Sequence, residues 1–212
     1  MIAYKFTHKK FAELLIRGEC VKIGSLSYYR STESHNIGKV DPDENKVNVA
    51  TKKINISFHP PPVMLSQLAK IGVKISPFSK ITPHKEVIIK LSGRDAYIFC
   101  TSLTDSYAAA HRIDPTYDAC VQIGNVRQFA INVTQGIRDL GVMVGNTESN
   151  PIQYRDRKVD IEDEWVFSPF LKGTQFAEDK EYRFVWSADM DKLEPSLLVR
   201  FDPLNCDLKM VW

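Results

Sequence analysis

Short alternating and amphipathic stretches follow one another along the chain, and they predict a protein that mixes small strands with small helices. Residues 3–6 are typical of a first strand. Apolar residues recur at helical spacing over residues 11–15, and Gly18 is placed to end that helix. Residues 21–23 predict a second strand. The chain therefore opens with a strand, a helix, a glycine stop and another strand.

The rest of the chain predicts further elements at similar intervals. Strands are expected at residues 47–59, 86–91, 96–101, 117–123, 153–158, 182–186 and 197–201, and helices at residues 63–70, 108–111 and within 125–140. A short turn separates the strands at 86–91 and 96–101, which predicts a hairpin. The fold class that follows is α+β, with a mixed, mostly antiparallel sheet core and flanking helices.

Length and composition indicate one globular domain. A chain of 212 residues, 43% hydrophobic and 25% charged, can bury about 70 per cent of its unfolded surface. The polar residues 31–46 predict an exposed loop, and the segment around residues 60–84 predicts an insertion. The formal net charge of +2 lacks the basic excess of a dedicated nucleic-acid binder, so partners must be deduced from sites.

The spacing of the cysteines and the absence of known motifs argue against several classes of function. Four cysteines lie far apart without the spacing of a zinc site, so we expect reduced, mostly buried thiols and no metal: Cys20, Cys100, Cys120 and Cys206. No phosphate loop, dinucleotide fingerprint, zinc-protease motif or nucleophile elbow occurs. No apolar leader or membrane-length apolar run occurs either. A cytoplasmic protein without a membrane partner is the expectation.

An acidic stretch runs directly into an aromatic strand at residues 176–186. Glu178 and Glu181 are three residues apart, so on an uninterrupted strand they point to opposite faces, and only one can face a cleft. Glu181 is the candidate because the apolar strand continues from it. A carboxylate there can grip a ribose hydroxyl or stabilise an oxocarbenium-like transition state. The alternative is an ordinary edge strand with solvated Glu and Lys residues. In a protein that only binds a partner, Glu181 would merely pair with Arg183 or Lys180.

Two further places carry groups suited to ligand binding. Tyr28 and Tyr29 are adjacent after a stretch of small residues, and on an extended chain one would be buried while its neighbour faces a cleft or solvent. Ser102 belongs to a cluster of hydroxyls at the end of the strand at 96–101. Such hydroxyls fix a polar ligand in some proteins and cap a helix in others.

Several short motifs in order carry a resemblance to known families. The opening Tyr4-Lys5-Phe6-Thr7-His8, with the helix and strand after it, resembles the start of the DNA-targeting ADP-ribosyltransferase toxins and related NAD-using transferases. The chain is also similar, over nearly its full length, to a large bacterial family of unknown function, in which an acidic-Lys-Glu-aromatic-Arg strand recurs near the C-terminus. The motifs that carry this second similarity are residues 4–6, 24–29, 99–102 and 179–183.

The resemblance implies an NAD-dependent ADP-ribosyltransferase-like enzyme of the bacterial or phage toxin or defence type. NAD would be the co-substrate, the acceptor a nucleic acid, a protein or water, and an antitoxin or other protein a partner. Glu181 would hold the 2′-hydroxyl of the nicotinamide ribose and stabilise positive charge as nicotinamide departs. The cofactor-binding residues that the resemblance implies are Tyr4, Thr7, His8, Ser25, Tyr28, Tyr29 and Ser102.

The chain departs from the transferase pattern, and other functions stay open. It has no arginine on the first strand, residues 99–102 only approximate the Ser-Thr-Ser segment, and the two glutamates are three rather than two residues apart. A degenerate transferase fold without catalysis is one alternative. Another is a non-enzymatic interaction module or inhibitor, whose exposed aromatics would cover another protein: Trp165, Phe167, Phe170 and Trp186.

The enzyme hypothesis makes a geometric prediction. The strands at 182–186 and 96–101 should be neighbours, with the N-terminal strand near both. Glu181 should then lie close to Tyr4 and Ser102.

Overall fold

The computed structural model describes residues 1–32, 45–50, 59, 62–70, 74–76, 78, 88–156, 158–160, 168–188 and 193–212. Most of the loop expected at 31–46, most of the strand expected at 47–59, and the aromatics Trp165 and Phe167 lie outside the described residues.

The described chain is a mixed α+β structure with a mostly antiparallel sheet. The strands are β1 (Ala3–Thr7), β2 (Val21–Ser25), β3 (Lys46–Ala50), β4 (Ile88–Ser92), β5 (Tyr97–Ser102), β6 (Ala119–Ile123), β7 (Val144–Pro151), β8 (Gln153–Tyr154), β9 (Lys158–Asp160), β10 (Leu171–Lys172), β11 (Glu181–Ala188), β12 (Ser196–Val199) and β13 (Leu208–Met210). The helices are α1 (Lys9–Ile16), α2 (Leu26–Thr32), α3 (Pro62–Lys70), α4 (Tyr107–Ile113), α5 (Val126–Asp139) and a 3₁₀ helix at Thr174–Asp179. No helix within these stretches is both long enough and apolar enough to cross a membrane.

Two compact units make up the chain. The first consists of Met1–Glu44, Arg94–Arg155 and Pro169–Trp212, and the second of Asn45–Gly93 and Asp156–Ser168. In the second unit, β4, β3 and β9 form a three-stranded sheet in which β9 runs parallel to β3. The insertion expected around residues 60–84 belongs to this unit. That the 212 residues form a single domain stays a prediction.

An eight-stranded antiparallel sheet organises the first unit. Its order is β12-β2-β5-β1-β6-β13, with β11 beside β5 and β7 beside β11. Because β11 pairs with β5 along its whole length, β1 and β2 share the other edge of β5. There β2 pairs with Tyr97 and Ile98 and β1 pairs with Ser102, so the two strands separate around residues 99–101.

The predicted neighbourhood of the three strands is confirmed. Ser102 lies opposite Glu181 on β11 and opposite Tyr4 on β1. One face of this sheet carries the main apolar core, which α1 and α5 cover with Leu15 and Phe129 among others. The opposite face carries two smaller apolar clusters, one beneath α4 and one beneath α2.

Two local predictions are wrong. β4 and β5 do not form a hairpin, because β4 pairs with β3 whereas β5 pairs with β1, β2 and β11. β5 is an interior strand with partners on both edges, and its first half is also buried on both faces, as Tyr97, Ile98 and Phe99 show. Tyr28 and Tyr29 are not on an extended chain either, because they lie within the helix α2.

Local hydrogen bonds explain the helical ends near the N-terminus. The Ser25 hydroxyl accepts from the Tyr28 N–H at 3.0 Å, as an N-cap residue does, and this bond favours the helix α2. Gly18 ends α1 as predicted, with a positive φ of 69°. A side chain there would also clash, because a Cβ on Gly18 would lie 2.2 Å from the Phe201 carbonyl oxygen.

Candidate functional site

A cavity of about 140 Å³ lies on the sheet face opposite the main core, where β1, β5 and β11 are side by side. Charged and polar groups on these strands line it, with Lys172 from β10 and Asp179 from the 3₁₀ helix. Ile113 and Tyr117, from the end of α4 and the segment after it, add an apolar wall. The cavity therefore combines an ionic side with an aromatic and aliphatic side.

The Glu181 carboxylate is bound by two cations. It is only 6% exposed, since β11 lies between β5 and β7. Arg183 donates to Oε1 from Nε at 2.8 Å and from Nη2 at 2.6 Å. Lys172 donates to Oε2 from Nζ at 2.8 Å. The solvated edge strand that the sequence left open is therefore wrong. The pairing of Glu181 with Arg183 that the sequence also left open is present, whereas the second partner is Lys172 and Lys180 is exposed.

These contacts fix the charge of Glu181. Burial by itself raises the pKa of Glu181, but the charges of Arg183 and Lys172, with hydrogen bonds from Lys172 and Cys100, hold that pKa well below its usual range. The site therefore contains a buried carboxylate that stays ionised at neutral pH.

The backbone of Glu181 is bound as well. The Tyr154 hydroxyl oxygen accepts from the Glu181 N–H at 2.7 Å, and the Ile152 N–H donates to the Glu181 carbonyl oxygen at 2.9 Å. Burial raises the pKa of Tyr154 to about 12, so its hydroxyl stays protonated. Arg183 also donates to the carbonyl oxygen of Pro169, which anchors the guanidinium. Glu181 is thus held at its main chain and at both carboxylate oxygens.

Ser102 connects the end of β5 to the acidic segment. Its hydroxyl donates to the Asp179 carbonyl oxygen at 2.9 Å and accepts from the Thr104 N–H at 3.3 Å. The Asp179 side chain lines the cavity, and burial raises its pKa although Lys172 opposes the rise. The hydroxyl at the end of β5 therefore fixes the loop that leads into β11.

The two adjacent tyrosines have different surroundings. Tyr29 lines the cavity, and its ring lies against Gly24, where a Cβ would come within 2.6 Å of the ring atom Cε2. Tyr28 instead accepts a hydrogen bond from Lys22 at 2.8 Å, with that ammonium 4.7 Å from the ring centroid. The sequence predicts that one of the pair faces the cleft, and Tyr29 does.

The structure brings half of the sequence-predicted residues to the cavity. Those that line it are Tyr4, Tyr29, Ser102 and Glu181, and those that do not are Thr7, His8, Ser25 and Tyr28.

The four predicted residues that do not line the cavity have other positions or contacts in the structure. Thr7 is an odd number of residues from Tyr4 on β1, so its side chain points to the other sheet face. His8 occupies the N-cap position of α1, with its ring 5.7 Å from that of Tyr117. Ser25 caps α2 and Tyr28 contacts Lys22, as described above.

The interaction-module hypothesis loses one of its aromatic residues. Trp186 is fully buried in the main core, so it cannot cover another protein. Phe170 is half-buried, beside the small cluster under α2.

Arg183 and Lys172, the two cations that bind the Glu181 carboxylate, were not among the predicted site residues. Arg183 has a signal, because it lies two residues after Glu181 and period-two alternation puts both on one face of β11. Lys172 has none, because it lies on a strand of only two residues, which is too short to show a period. Among the described residues, no group of three or more His, Cys, Asp and Glu could hold a metal ion. No disulfide joins the four cysteines, and Cys120 and Cys206 are buried.

No protein-family model, no curated protein and no solved structure matches the chain. The chemistry of the cavity must be argued from its own geometry.

Proposed function

We propose that this protein is an NAD-using enzyme of the ADP-ribosyltransferase type, with an ADP-ribosyltransferase-like fold, and that the cavity receives the nicotinamide-ribose end of NAD. One observation carries the proposal. A buried, ionised Glu181 lies beside Ser102 and Tyr4 on three neighbouring strands, at a cavity. The sequence resemblance implies the same order of parts, namely a polar group on the first strand, a central strand that ends in Ser or Thr, and a late strand that carries a glutamate.

The charge of Glu181 suits bond cleavage at an anomeric carbon. As nicotinamide departs, positive charge develops on the ribose, and a fixed carboxylate in a site of low dielectric constant stabilises it. Oε1 accepts from Nε and Nη2 of Arg183, Oε2 accepts from Lys172, and Cys100 adds a hydrogen bond to the carboxylate. A ribose hydroxyl that binds Glu181 would therefore take the place of one of these donors.

The apolar side of the cavity suits a flat ring. Tyr4, Phe6, Ile113 and Tyr117 lie on that side, and an aromatic ligand packs well against such a surface. The volume of about 140 Å³ is below the roughly 300–1,000 Å³ of pockets that enclose a whole drug-sized ligand. The cavity therefore fits the nicotinamide end, and the rest of NAD would extend outward.

The acceptor is the part of the proposal that rests on resemblance alone. A nucleic acid or a protein would receive ADP-ribose in a toxin or defence enzyme, with an antitoxin or other protein as its natural partner and the cytoplasm as the compartment that supplies NAD. Transfer to water would make the protein an NAD glycohydrolase.

Nicotinamide release tests the proposal. The purified protein is incubated with NAD alone and with DNA, RNA or cell lysate, and nicotinamide is quantified by chromatography while labelled ADP-ribose is followed into each acceptor. Glu181→Gln should lose turnover by about 10² or more, with circular dichroism as a check that it is folded. Glu178→Gln is the matched control, because that side chain is 81% exposed and outside the cavity lining. Absence of NAD binding and of release by the wild type would overturn the proposal.

One observation favours the non-enzymatic alternative. Both carboxylate oxygens of Glu181 already have protein partners, which is what a purely structural ion cluster requires. Under that hypothesis, NAD leaves the melting temperature unchanged.

A further inference from the structure

Glu181 has two cationic partners that differ in origin. Arg183 is on the same strand and is 1% exposed, and its planar guanidinium grips Oε1 with two N–H groups. Lys172 comes from β10 and donates to Oε2 through its ammonium. An ammonium on a flexible stem is a point charge without the directional fork of arginine.

Lys172 is a buried cation near two carboxylates. Arg183 supplies one positive charge for the one negative charge of Glu181, and the charge of Lys172 also lowers the pKa of Asp179. Burying a cation costs free energy, since an ion loses its hydration. Lys172 is nevertheless only 8% exposed, with its Nζ 4.9 Å from the centroid of the Phe176 ring. Its hydrogen bond of 2.8 Å goes to Oε2 of Glu181, so Lys172 fixes the position of that oxygen in addition to balancing charge.

The strand β10, which carries Lys172, and its neighbour β8 both contact Glu181. β10 pairs in parallel with β8, and the register places Lys172 opposite Tyr154. Tyr154 binds the Glu181 N–H, and Ile152, just before β8, binds the Glu181 carbonyl oxygen. The two short strands therefore hold the first residue of β11 by its main chain through one strand and by its side chain through the other.

We propose that Lys172 is a positioning residue that fixes Oε2 of Glu181 toward the cavity. The proposal deepens the function proposed above and rests on it only where turnover of NAD is measured. Lys172 acts through the carboxylate, so it affects the chemical step more than the binding of NAD.

Lys172→Met is the first test, because it removes the ammonium while keeping much of the side-chain length. Arg183 still balances Glu181, so this variant is expected to fold. Its kcat for nicotinamide release should fall about 10- to 100-fold, the scale of a misplaced catalytic group, with KM for NAD changed by less than about threefold. Lys172→Arg should recover part of the loss. Lys180→Met is the matched control, since it removes an exposed lysine adjacent to Glu181 and should leave kcat unchanged.

A carboxyl titration gives a readout that needs no turnover. The groups that face Glu181 are Arg183 from β11, Lys172 from β10, Tyr154 from β8, Asp179 from the 3₁₀ helix and Cys100 from β5. Removing one cation from this set raises the pKa of Glu181. The ¹³C carboxyl signal, assigned by its loss in Glu181→Gln, should titrate at higher pH in Lys172→Met than in the wild type, and the acid limb of the pH–rate profile should move the same way.

The outcomes separate the two proposals. If the wild type releases no nicotinamide, the proposed function fails, and the carboxyl titration alone decides the role of Lys172. An unchanged titration overturns the role of Lys172, and so does an unchanged kcat in an active enzyme. A lower melting temperature with full kcat in the folded fraction shows a structural role and also overturns it. If Lys172→Met fails to fold, Lys172→Gln, which keeps a donor without the charge, is measured in its place.

Discussion

Both faces of β11 are buried, but only one of them carries charged residues, which share that face with Val185. One face carries Tyr182, Phe184 and Trp186 into the main core, and the other carries Glu181 and Arg183 to the cavity. None of these five residues is more than 6% exposed. Burial alone therefore does not distinguish a core residue from a site residue on this strand.

The two faces are stabilised in different ways. On the core face, Phe184 packs on Phe129 and Trp186 with ring centroids 5.2 and 6.2 Å apart, and stability follows from the apolar area removed from water. On the site face, stability depends on each charge having its partner, because an unpaired buried charge is costly. Four substitutions test this contrast, beginning with the largest expected effect.

Trp186→Ala should destabilise the protein through the core face of β11. It removes a fully buried indole and its hydrogen bond from Nε1 to the Thr134 hydroxyl at 2.8 Å. The cavity left behind should lower the free energy of unfolding by about 4 kcal/mol, as measured by urea denaturation. Leu198→Ala is the control, since Leu198 is 64% exposed and should change little. A loss below about 1 kcal/mol would show that the core face is not held by packing.

Glu181→Gln should destabilise the protein through the site face of β11, because it removes the negative charge there. The exchange keeps the shape but leaves Arg183 and Lys172 as two buried cations, so we expect a loss of about 3 kcal/mol in the free energy of unfolding. Adding Lys172→Met removes one of those cations and should restore part of the loss. Additive effects of the two substitutions would argue against a coupled cluster.

Tyr29→Ala tests whether the cavity beside the site face of β11 binds NAD. Tyr29 lines the cavity, so loss of its ring should weaken NAD binding about tenfold, which is about 1.4 kcal/mol. Tyr28→Ala is the matched control one residue away, and it should bind NAD as the wild type does. Isothermal titration calorimetry of both variants measures the difference, and equal affinities would remove Tyr29 from the site.

Asp179→Asn should give the smallest effect, and its sign depends on pH. Burial raises the folded-state pKa of Asp179, so its ionised form is less stable in the folded protein than in the unfolded chain. The variant should therefore be more stable than the wild type at pH 7, by less than about 1 kcal/mol. The difference should shrink as the pH falls through the raised pKa and Asp179 takes up its proton. Thermal melts from pH 7 down to about pH 3.5, slightly below the usual Asp range, follow this, and a constant difference would contradict it.

Glu181 titrates in the opposite sense. Its folded-state pKa is depressed, so the stability it contributes is present above the unfolded pKa and is lost only as the pH falls through the folded value. Acid melts of the wild type should therefore show that the cluster persists below the usual carboxylate range.

The local pattern of the sequence determined most of the elements and one key residue. Strand-forming residue types predicted β1, β5 and β11, and Gly18 ended α1. The aromatic strand that continues from Glu181 selected that glutamate, which lines the cavity, whereas Glu178 lies in the 3₁₀ helix and not on the strand. These properties depend on residues close together in the chain, so period and capping are sufficient to read them.

Tertiary structure alone decided the partners of that glutamate and the shape of its cavity. Lys172 reaches Glu181 because β10 pairs with β8, and Tyr29 faces the cavity because α2 turns where an extended segment was expected. The contact of Lys172 with Glu181 and the position of Tyr29 both depend on how segments far apart in the chain pack together. No periodic pattern in the sequence shows which distant segments will pair, or in what register. The sequence therefore determined which glutamate lines the cavity, and the packing of distant segments decided which residues bind it.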